Sequence, residues 1–215
     1  MKRFVIACVS VVVAVVAVFA FVMLTPWFTV KTVDVHGAEH ISSEEVAAAT
    51  GVTVGERLAT VSPRDAVKGV GALPWVKKAT VSKDWPSTVT VSVVEEQAVA
   101  YQTTPDGTVL INAEGTPFVI DQPTVGAVEI VGASDPAVFS ACLTAINELT
   151  PAVRKDVARV SAPSQYEITL ELLDGRSVYW GSAEQAHNKA VATEIVLTRE
   201  GQHFDVSNPQ LVTLG

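Results

Sequence analysis

The chain predicts an α+β protein: a single N-terminal transmembrane helix, then a small β-α-α-β-β domain, then a mainly antiparallel β domain with two helices. Three observations carry that expectation. An uncharged apolar run fills Phe4 to Leu24. Several later segments alternate apolar and polar residues, the mark of half-buried strands. Between them lie stretches with helix start and stop chemistry.

The apolar run has 21 residues, of which Ser10 is polar and fourteen are Val, Ile, Leu or Phe. As a helix rising about 1.5 Å per residue it would span about 31 Å, the thickness of a roughly 30 Å hydrocarbon core. At about −0.3 to −0.6 kcal/mol for each strongly apolar residue, insertion is favoured by several kcal/mol. Lys2 and Arg3 precede the run and only Lys31 closely follows it. The positive-inside rule then makes residues 1–3 a cytoplasmic arm and 4–24 a single-pass span, with everything after Thr25 outside the cytoplasm. Val18-Phe19-Ala20 also offers a signal-peptide cleavage site. The run overshoots the usual core of about 7–15 residues and continues to Leu24, which favours a retained anchor. Val5-Ile6-Ala7-Cys8 has the look of a lipid-attachment box but sits too early, with no apolar run before it. Ala14, Ala17 and Ala20 are spaced by three and give no strong small-residue packing motif.

All 23 acidic residues follow the span, whereas two of the 15 basic ones precede it, so the exported part carries a charge near −10. Such a surface repels nucleic acid and anionic lipid, and neither is expected as a partner. The two cysteines are Cys8, within the span, and Cys142, so no internal disulfide is expected. Cys142 falls on the apolar face of an expected helix and reads as core.

Pro26-Trp27-Phe28 leaves the membrane with interfacial aromatics. Phe28 to Val35 alternates as a strand, and Gly37 breaks it. Ser42 to Glu45 is a capping box opening a helix that runs to Thr50 and stops at Gly51. Ser62-Pro63-Arg64-Asp65 opens a second, short helix ending near Gly69 or Gly71. Leu73-Pro74-Trp75-Val76 begins an extended run with Val76, Ala79, Val81 and Trp85 as its apolar positions. Trp85-Pro86 turns the chain, and Thr88 to Glu95 alternates again with Val89, Val91 and Val93 on one face. These elements define a domain at 27–97.

A second domain at 98–215 reads as short strands around Tyr101, Val109-Leu110-Ile111 and Gly115 to Ile120. A helix starts at Asp135-Pro136, carries Val138, Phe139, Cys142, Leu143, Ile146 and Leu149 on one face, and ends at Pro151. Ala158 to Ser161 and Tyr166 to Leu172 are strands. Asp174-Gly175 turns the latter into Ser177 to Trp180. Ser182 to Gln185 reads as another capping box, opening a helix to about Arg199 that Gly201 stops. His203 to Val206 and Gln210 to Thr213 are the last strands, separated by a turn at Ser207-Asn208-Pro209. With no linker or low-complexity tract at the join, the two domains are expected to abut.

Catalytic chemistry finds no foothold. There is no Gly-x-Ser-x-Gly, no glycine-rich phosphate loop and no His-Glu-x-x-His. His36 and His40 lie in a strand-to-loop context broken by Gly37, and two ligands make a poor metal site. His187 sits among Gln185, Asn188 and Lys189, a solvated helix face. Glu44-Glu45 belongs to a helix N-terminus, where negative charge suits the dipole. Glu95 and Glu96 are adjacent on a strand and point to opposite faces, so they do not form a glycosidase pair. Trp75 and Trp85 could stack on sugars, but their strand placement suits core or domain-edge roles. No catalytic residue, metal, cofactor or small-molecule substrate is expected.

Surface for protein partners remains. A sheet edge is a template for another strand. The segment Gln210, Leu211, Val212, Thr213 and Leu214 is largely apolar and free of proline. It reads equally as a docking edge and as an ordinary terminal strand packed against Phe204 and the last helix.

Taken together, the residues resemble the FtsQ/DivIB family of bitopic bacterial cell-division proteins over essentially the whole chain. The first exported domain is similar to a POTRA domain through Val33-x-Val35-x-Gly37, Ser43, Glu45 and Val46, and Gly51-x-x-x-Gly55-x-x-Leu58. Leu73-Pro74-Trp75-Val76-x-x-Ala79-x-Val81, Trp85-Pro86-x-Thr88-Val89-x-Val91, Glu95 and Ala98-Val99-Ala100 continue the match. The second domain adds Leu172-x-Asp174-Gly175-x-x-Val178-x-x-Gly181 and Phe204-Asp205-Val206-Ser207-x-Pro209. Two departures stand out: a three-residue cytoplasmic arm where many relatives have a long one, and Asn112 where an Asp is common before the Glu114-Gly115 turn. The resemblance implies a scaffold without enzyme activity in the membrane at the division septum, linking early and late division proteins. It implies FtsB/FtsL-type partners at Gln210 to Leu214, with FtsW-type, FtsK-type and septal-synthase proteins as further membrane partners. The alternative is an exported POTRA module of a translocation or envelope-assembly system, although such proteins carry several POTRA units or a barrel. A wall-glycan enzyme or lectin is a third class, for which the sequence offers no constellation.

Overall fold

The computed structural model describes residues 12–16, 21, 28–133 and 135–214. The expected cytoplasmic arm and most of the expected span at Phe4 to Leu24 lie outside the described residues. Among the described residues no helix is long and apolar enough to cross a membrane. The chain divides into two compact units between Glu96 and Gln97.

The first unit runs β1 (Thr32–His36), α1 (Ser43–Ala49), α2 (Pro63–Val70), β2 (Val76–Asp84) and β3 (Thr88–Glu95). Its sheet has the order β1-β3-β2, with β1 parallel and β2 antiparallel to β3. Val89, Val91 and Val93 of the central strand are all buried, together with Val46, Leu58, Ala66, Val70 and Val81. The helix caps form as the sequence dictates. Ser42 Oγ accepts the Glu45 N–H at 3.1 Å, and Ser62 Oγ accepts the Asp65 N–H at 3.3 Å.

The first strand is shorter than alternation suggests. Phe28 to Val30 pairs instead with the loop before α2. The Val30 N–H donates to Glu56 O at 2.7 Å, Gly55 N–H to Val30 O at 2.8 Å and Leu58 N–H to Phe28 O at 2.8 Å. Val30 is fully buried there, whereas in β1 the inward positions are Val33 and Val35, so the inward parity shifts where the pairing partner changes. Trp85 is exposed, not core, and meets Phe28 edge-on with ring centroids 5.5 Å apart. Gly37 has φ +80°, and a Cβ there would lie 2.2 Å from Val93 O, so only glycine lets the chain leave β1.

The second unit runs β4 (Ala98–Thr104), β5 (Gly107–Asn112), β6 (Pro117–Ile120), β7 (Val128–Val131), α3 (Pro136–Glu148), α4 (Pro151–Arg154), β8 (Val157–Ser161), β9 (Ile168–Leu172), β10 (Ser177–Gly181), α5 (Ala186–Val196), β11 (His203–Asp205) and β12 (Thr213–Leu214). The nine strands form one sheet, in the order β12-β11-β10-β9-β8-β7-β4-β5-β6. Five of its joins are antiparallel; β4 with β7, β7 with β8, and β10 with β11 are parallel. The core gathers Cys142, Ile146 and Leu149 near the α3 end and Ala190 and Val196 of α5 with Ile168, Leu170, Val178, Trp180 and Phe204. Burying Phe204 alone is worth about 2 kcal/mol.

Several elements differ from expectation. Strand β7 was not anticipated: its four residues lie between Gly126 and Gly132, both at positive φ, too short for a periodic signal. Pro151 does not merely end α3. It opens α4, capped by Thr150 Oγ1, which accepts the Val153 N–H at 3.4 Å. Strand β9 starts at Ile168, leaving Tyr166 exposed. The box at Ser182 to Gln185 does not cap α5. Ser182 Oγ accepts the Glu184 N–H at 3.3 Å, and Gln185 sits at φ 54° with no side-chain cap bond. The helix therefore starts at Ala186 and ends at Val196. Asn112 is buried, and its Oδ1 accepts the Thr116 N–H at 2.8 Å, closing the turn through Glu114-Gly115.

Candidate functional site

The residues singled out at the chain's end lie at the margin of the second unit's sheet. Thr213 and Leu214 pair antiparallel with Asp205 and Phe204, and β12 is the first strand in the sheet order. Gln210 and Leu211 are not in the strand. The Asn208 side chain accepts the Gln210 N–H at 3.2 Å and its carbonyl accepts the Leu211 N–H at 3.0 Å, holding both in a turn. Asp205 Oδ1 accepts the Ser207 N–H at 2.8 Å and starts that turn. Leu211 is exposed, and Val212 is half-buried against the core.

The ladder fixes which backbone groups face outward. Val206 N–H donates to Tyr179 O at 3.0 Å, and Ser177 N–H to Gln202 O at 2.9 Å. The even-numbered residues around β11 thus address β10, so Asp205 addresses β12 and pairs with Thr213. The backbone groups of Val212 and Leu214 then turn away from β11, to the side of the edge that no other described strand pairs.

The Asp174-Gly175 hairpin leads from β9 into β10, the strand that pairs with β11. Leu172 and Arg176 close it at 2.9 Å, with Gly175 at φ +88°. Arg176 Nε donates to Asp174 Oδ2 at 2.7 Å and Nη1 to Leu197 O at 2.9 Å, tying the turn to the end of α5. The Arg176 backbone N–H, and then its guanidinium, hold the Asp174 carboxyl below its ordinary range. Lys189 on α5 is buried, and its Nζ donates to Ser182 O at 2.8 Å; that burial pulls its pKa down. Cys142 is buried in the core, and burial pushes its thiol up to about 11.

In the first unit the motif residues converge on a carboxylate. Glu95, at the end of β3, accepts the N–H groups of Glu39, His40 and Ile41 at 2.8, 3.0 and 3.2 Å and lies 2.7 Å from His40 Nδ1. The His40 ring stacks on Trp75, centroids 4.2 Å apart and planes 4° from parallel. Burial opposes the Glu95 charge, but the bonds from the His40 ring and the three N–H groups outweigh it and hold the carboxyl below its ordinary value. Glu96 faces Lys77 instead, at 3.7 Å. The adjacent carboxylates thus serve different partners. Sequence reasoning missed this cluster because its parts are some 55 residues apart; Glu95 and Trp75 were each conspicuous, but nothing local joins them to His40. Leu73 and Pro74 shape the approach to β2, where Val76 N–H donates to Leu73 O at 3.0 Å, and Gly51 follows α1 at φ +69°. His36 pairs with Asp34 at 3.3 Å and His187 with Glu148 at 3.2 Å. Among the described residues no group of three His, Cys, Asp or Glu side chains could hold a metal.

A small β-α-α-β-β unit followed by a wide mixed sheet with an open margin defines a modular protein whose described surface offers strand edges. The chain belongs to the FtsQ/DivIB family of cell division proteins. Residues 28–96 match the family described as POTRA domain, FtsQ-type, and residues 100–209 match Cell division protein FtsQ/DivIB, C-terminal. It is 37% identical over 220 residues to Cell division protein FtsQ of Corynebacterium glutamicum, covering 99% of each chain. It is 35% identical to that of Mycobacterium leprae, covering 89% of this chain and 57% of the relative. For Streptomyces venezuelae the identity is 31%, with 85% and 73% covered. Several mycobacterial relatives are thus considerably longer, and this chain spans about three fifths of them. The solved extracytoplasmic domain of DivIB from Geobacillus stearothermophilus is 17% identical, with a TM-score of 0.37 over 45% of this chain and 87% of that one.

Proposed function

We propose that the chain is a non-enzymatic divisome scaffold that captures FtsB/FtsL-type partners by strand addition at the β12 margin. The observation that supports the reading is the pairing of Thr213 with Asp205, which leaves the backbone groups of Val212 and Leu214 turned outward. The scaffold is anchored by Phe4 to Leu24 as a single-pass span, N-terminus cytoplasmic, with residues 27–97 and 98–215 as domains on the outer side of the cell membrane at the septum. The uncharged run behind Lys2 and Arg3 supports that topology. The first domain addresses other membrane division proteins, of FtsW, FtsK or septal-synthase type, and so links early and late components.

The test is capture of co-produced FtsB/FtsL-type partners by the full chain. Val212→Pro removes an outward N–H without touching the Asp205–Thr213 pair, and capture should fall at least about tenfold. Val212→Ala keeps the N–H and should retain most capture. Equal capture by both variants removes the strand-addition reading.

A further inference from the structure

We propose that the second unit also holds a docking cleft for an extended, basic segment of a partner protein, in the fork where β4 and β7 part. The two strands are parallel neighbours only at Ala100 with Val128 and Tyr101 with Glu129. Yet β4 continues to Thr104 and β7 to Val131. The β4–β5 hairpin closes at Thr104 with Gly107, across Pro105-Asp106. In a two-residue hairpin that closing pair exchanges backbone bonds, as does the next but one, Gln102 with Val109. The N–H and C=O of Thr103 therefore turn away from β5, into the fork.

The fork opens on a cavity of about 690 Å³ lined by Gln102, Thr103, Thr104, Glu129, Val131 and Gly132 among others. A second cavity of about 420 Å³ shares Gln102, Thr104 and Ala133 with it and is walled by Val109, Ile111 and Phe139. A backbone donor and acceptor beside an apolar recess suits an extended chain. Such a chain sends N–H and C=O sideways and every second side chain to one face.

Charge selects the occupant. Glu129 and Asp135 stand on the rims of the two cavities. Asp135 Oδ1 accepts the Ala137 N–H at 2.7 Å, and Glu129 Oε1 accepts the Thr103 hydroxyl at 3.0 Å. Arg159 lies 4.0 Å from Glu129 but 3.5 Å from Glu171, so one cation is shared by two carboxylates. The rim stays acidic, in a chain of net charge −8. The segment that fits carries Lys or Arg next to an apolar residue. The site is separate from the β12 margin, since β7 and β4 lie inside the sheet order.

The test is a titration of the isotope-labelled, detergent-solubilised full chain with the blocked peptide acetyl-Lys-Val-Thr-Val-Lys-amide, followed by amide chemical shifts. Shifts should centre on Thr103 and Gly132, with slower hydrogen exchange at the Thr103 amide. A peptide with Glu in place of Lys should bind at least about tenfold more weakly. Thr103→Pro should weaken binding by at least about tenfold, whereas Thr103→Val, which keeps the N–H, should stay within about twofold. Should Thr103→Pro not fold, Asp135→Asn, which retains the helix cap, should weaken binding about threefold and flatten its salt dependence. No shifts at millimolar peptide, shifts confined to β12, equal binding of the Glu peptide, or binding without protection of Thr103 would each overturn the proposal.

Discussion

The Glu95 carboxylate lies 2.7 Å from Nδ1 of His40, and the same carboxylate accepts the backbone N–H of His40 itself. Two further N–H groups, from Glu39 and Ile41, complete the cradle. A single side chain at the end of β3 thus closes the loop between β1 and α1 and sets His40 flat on Trp75. The His40 ring and the three backbone donors favour the carboxylate over the carboxylic acid and so lower its pKa against the opposing effect of burial.

That arrangement predicts acid sensitivity of the first unit. The Glu95 pKa is lowered from its ordinary 4.5 on folding. Its stabilising contribution is therefore fully present above about pH 4.5 and is lost as pH falls through the lower folded value. Urea unfolding of the wild type should show a decline across that acid window, and Glu95→Gln should flatten it. At pH 7 the Gln variant should be less stable by about 2 kcal/mol, because an amide brings no charge and only one acceptor oxygen to the donors that the two carboxylate oxygens now share. Unchanged pH dependence in the variant would show that other carboxylates dominate.

Gly37 and Gly51 separate two costs of replacing a glycine. Both sit at positive φ, but a Cβ at Gly37 meets Val93 O at 2.2 Å, whereas one at Gly51 meets nothing within 4 Å. Gly51→Ala should cost about 1 kcal/mol, for the left-handed backbone alone. Gly37→Ala should cost about 3 kcal/mol or more, since β1 must also move off β3. Thermal unfolding of the two variants side by side measures the difference.

Much of this was legible in the sequence because the signals are local. Ser42 and Ser62 cap their helices as read, and Val89, Val91 and Val93 face one core. What escaped is either very short or set by distant partners. β7 is four residues between turns, and it pairs with strands from two other parts of the chain. The last strand shrank to Thr213–Leu214 because Asn208 claims the backbone of Gln210 and Leu211. The Glu95 cradle spans more than fifty residues of sequence. No periodicity reports such a contact, although Glu95, Trp75 and the glycine before His40 were already conspicuous as motif positions.

Asn112 tests how much turn chemistry a buried amide carries. Its Oδ1 accepts the Thr116 N–H at 2.8 Å, while its backbone exchanges bonds with Thr116 and Gly115 at 3.1 and 3.0 Å. Asn112→Ala leaves the Thr116 N–H without its side-chain acceptor and should cost about 1 kcal/mol. Asn112→Asp keeps the acceptor but places a charge at a buried position, so its penalty should grow above the carboxyl's pKa and shrink in acid. Chemical denaturation at pH 7 and pH 4 distinguishes the two. An Asp variant as stable as wild type at both would show that the site admits enough water to solvate the charge.

Lys189 offers the sharpest test of buried charge. The residue is 3% exposed, and its Nζ donates to Ser182 O at 2.8 Å, with Glu184 and Asp205 within electrostatic reach. Burial lowers its pKa from 10.5, so between the folded value and 10.5 the unfolded chain binds more protons than the folded one. Stability contributed by this site must then rise with pH across that window. Lys189→Met removes the ammonium while keeping most of the volume. It should be within about 1 kcal/mol of wild type at pH 7, or more stable, and should abolish the rise. Lys189→Ala leaves a void and an unpaired Ser182 carbonyl and should cost about 3 kcal/mol. Denaturation curves of the three proteins at pH 7 and pH 10 separate charge from packing. If Met is as damaging as Ala, the Nζ bond to Ser182 holds the loop before α5 more strongly than its desolvation opposes it.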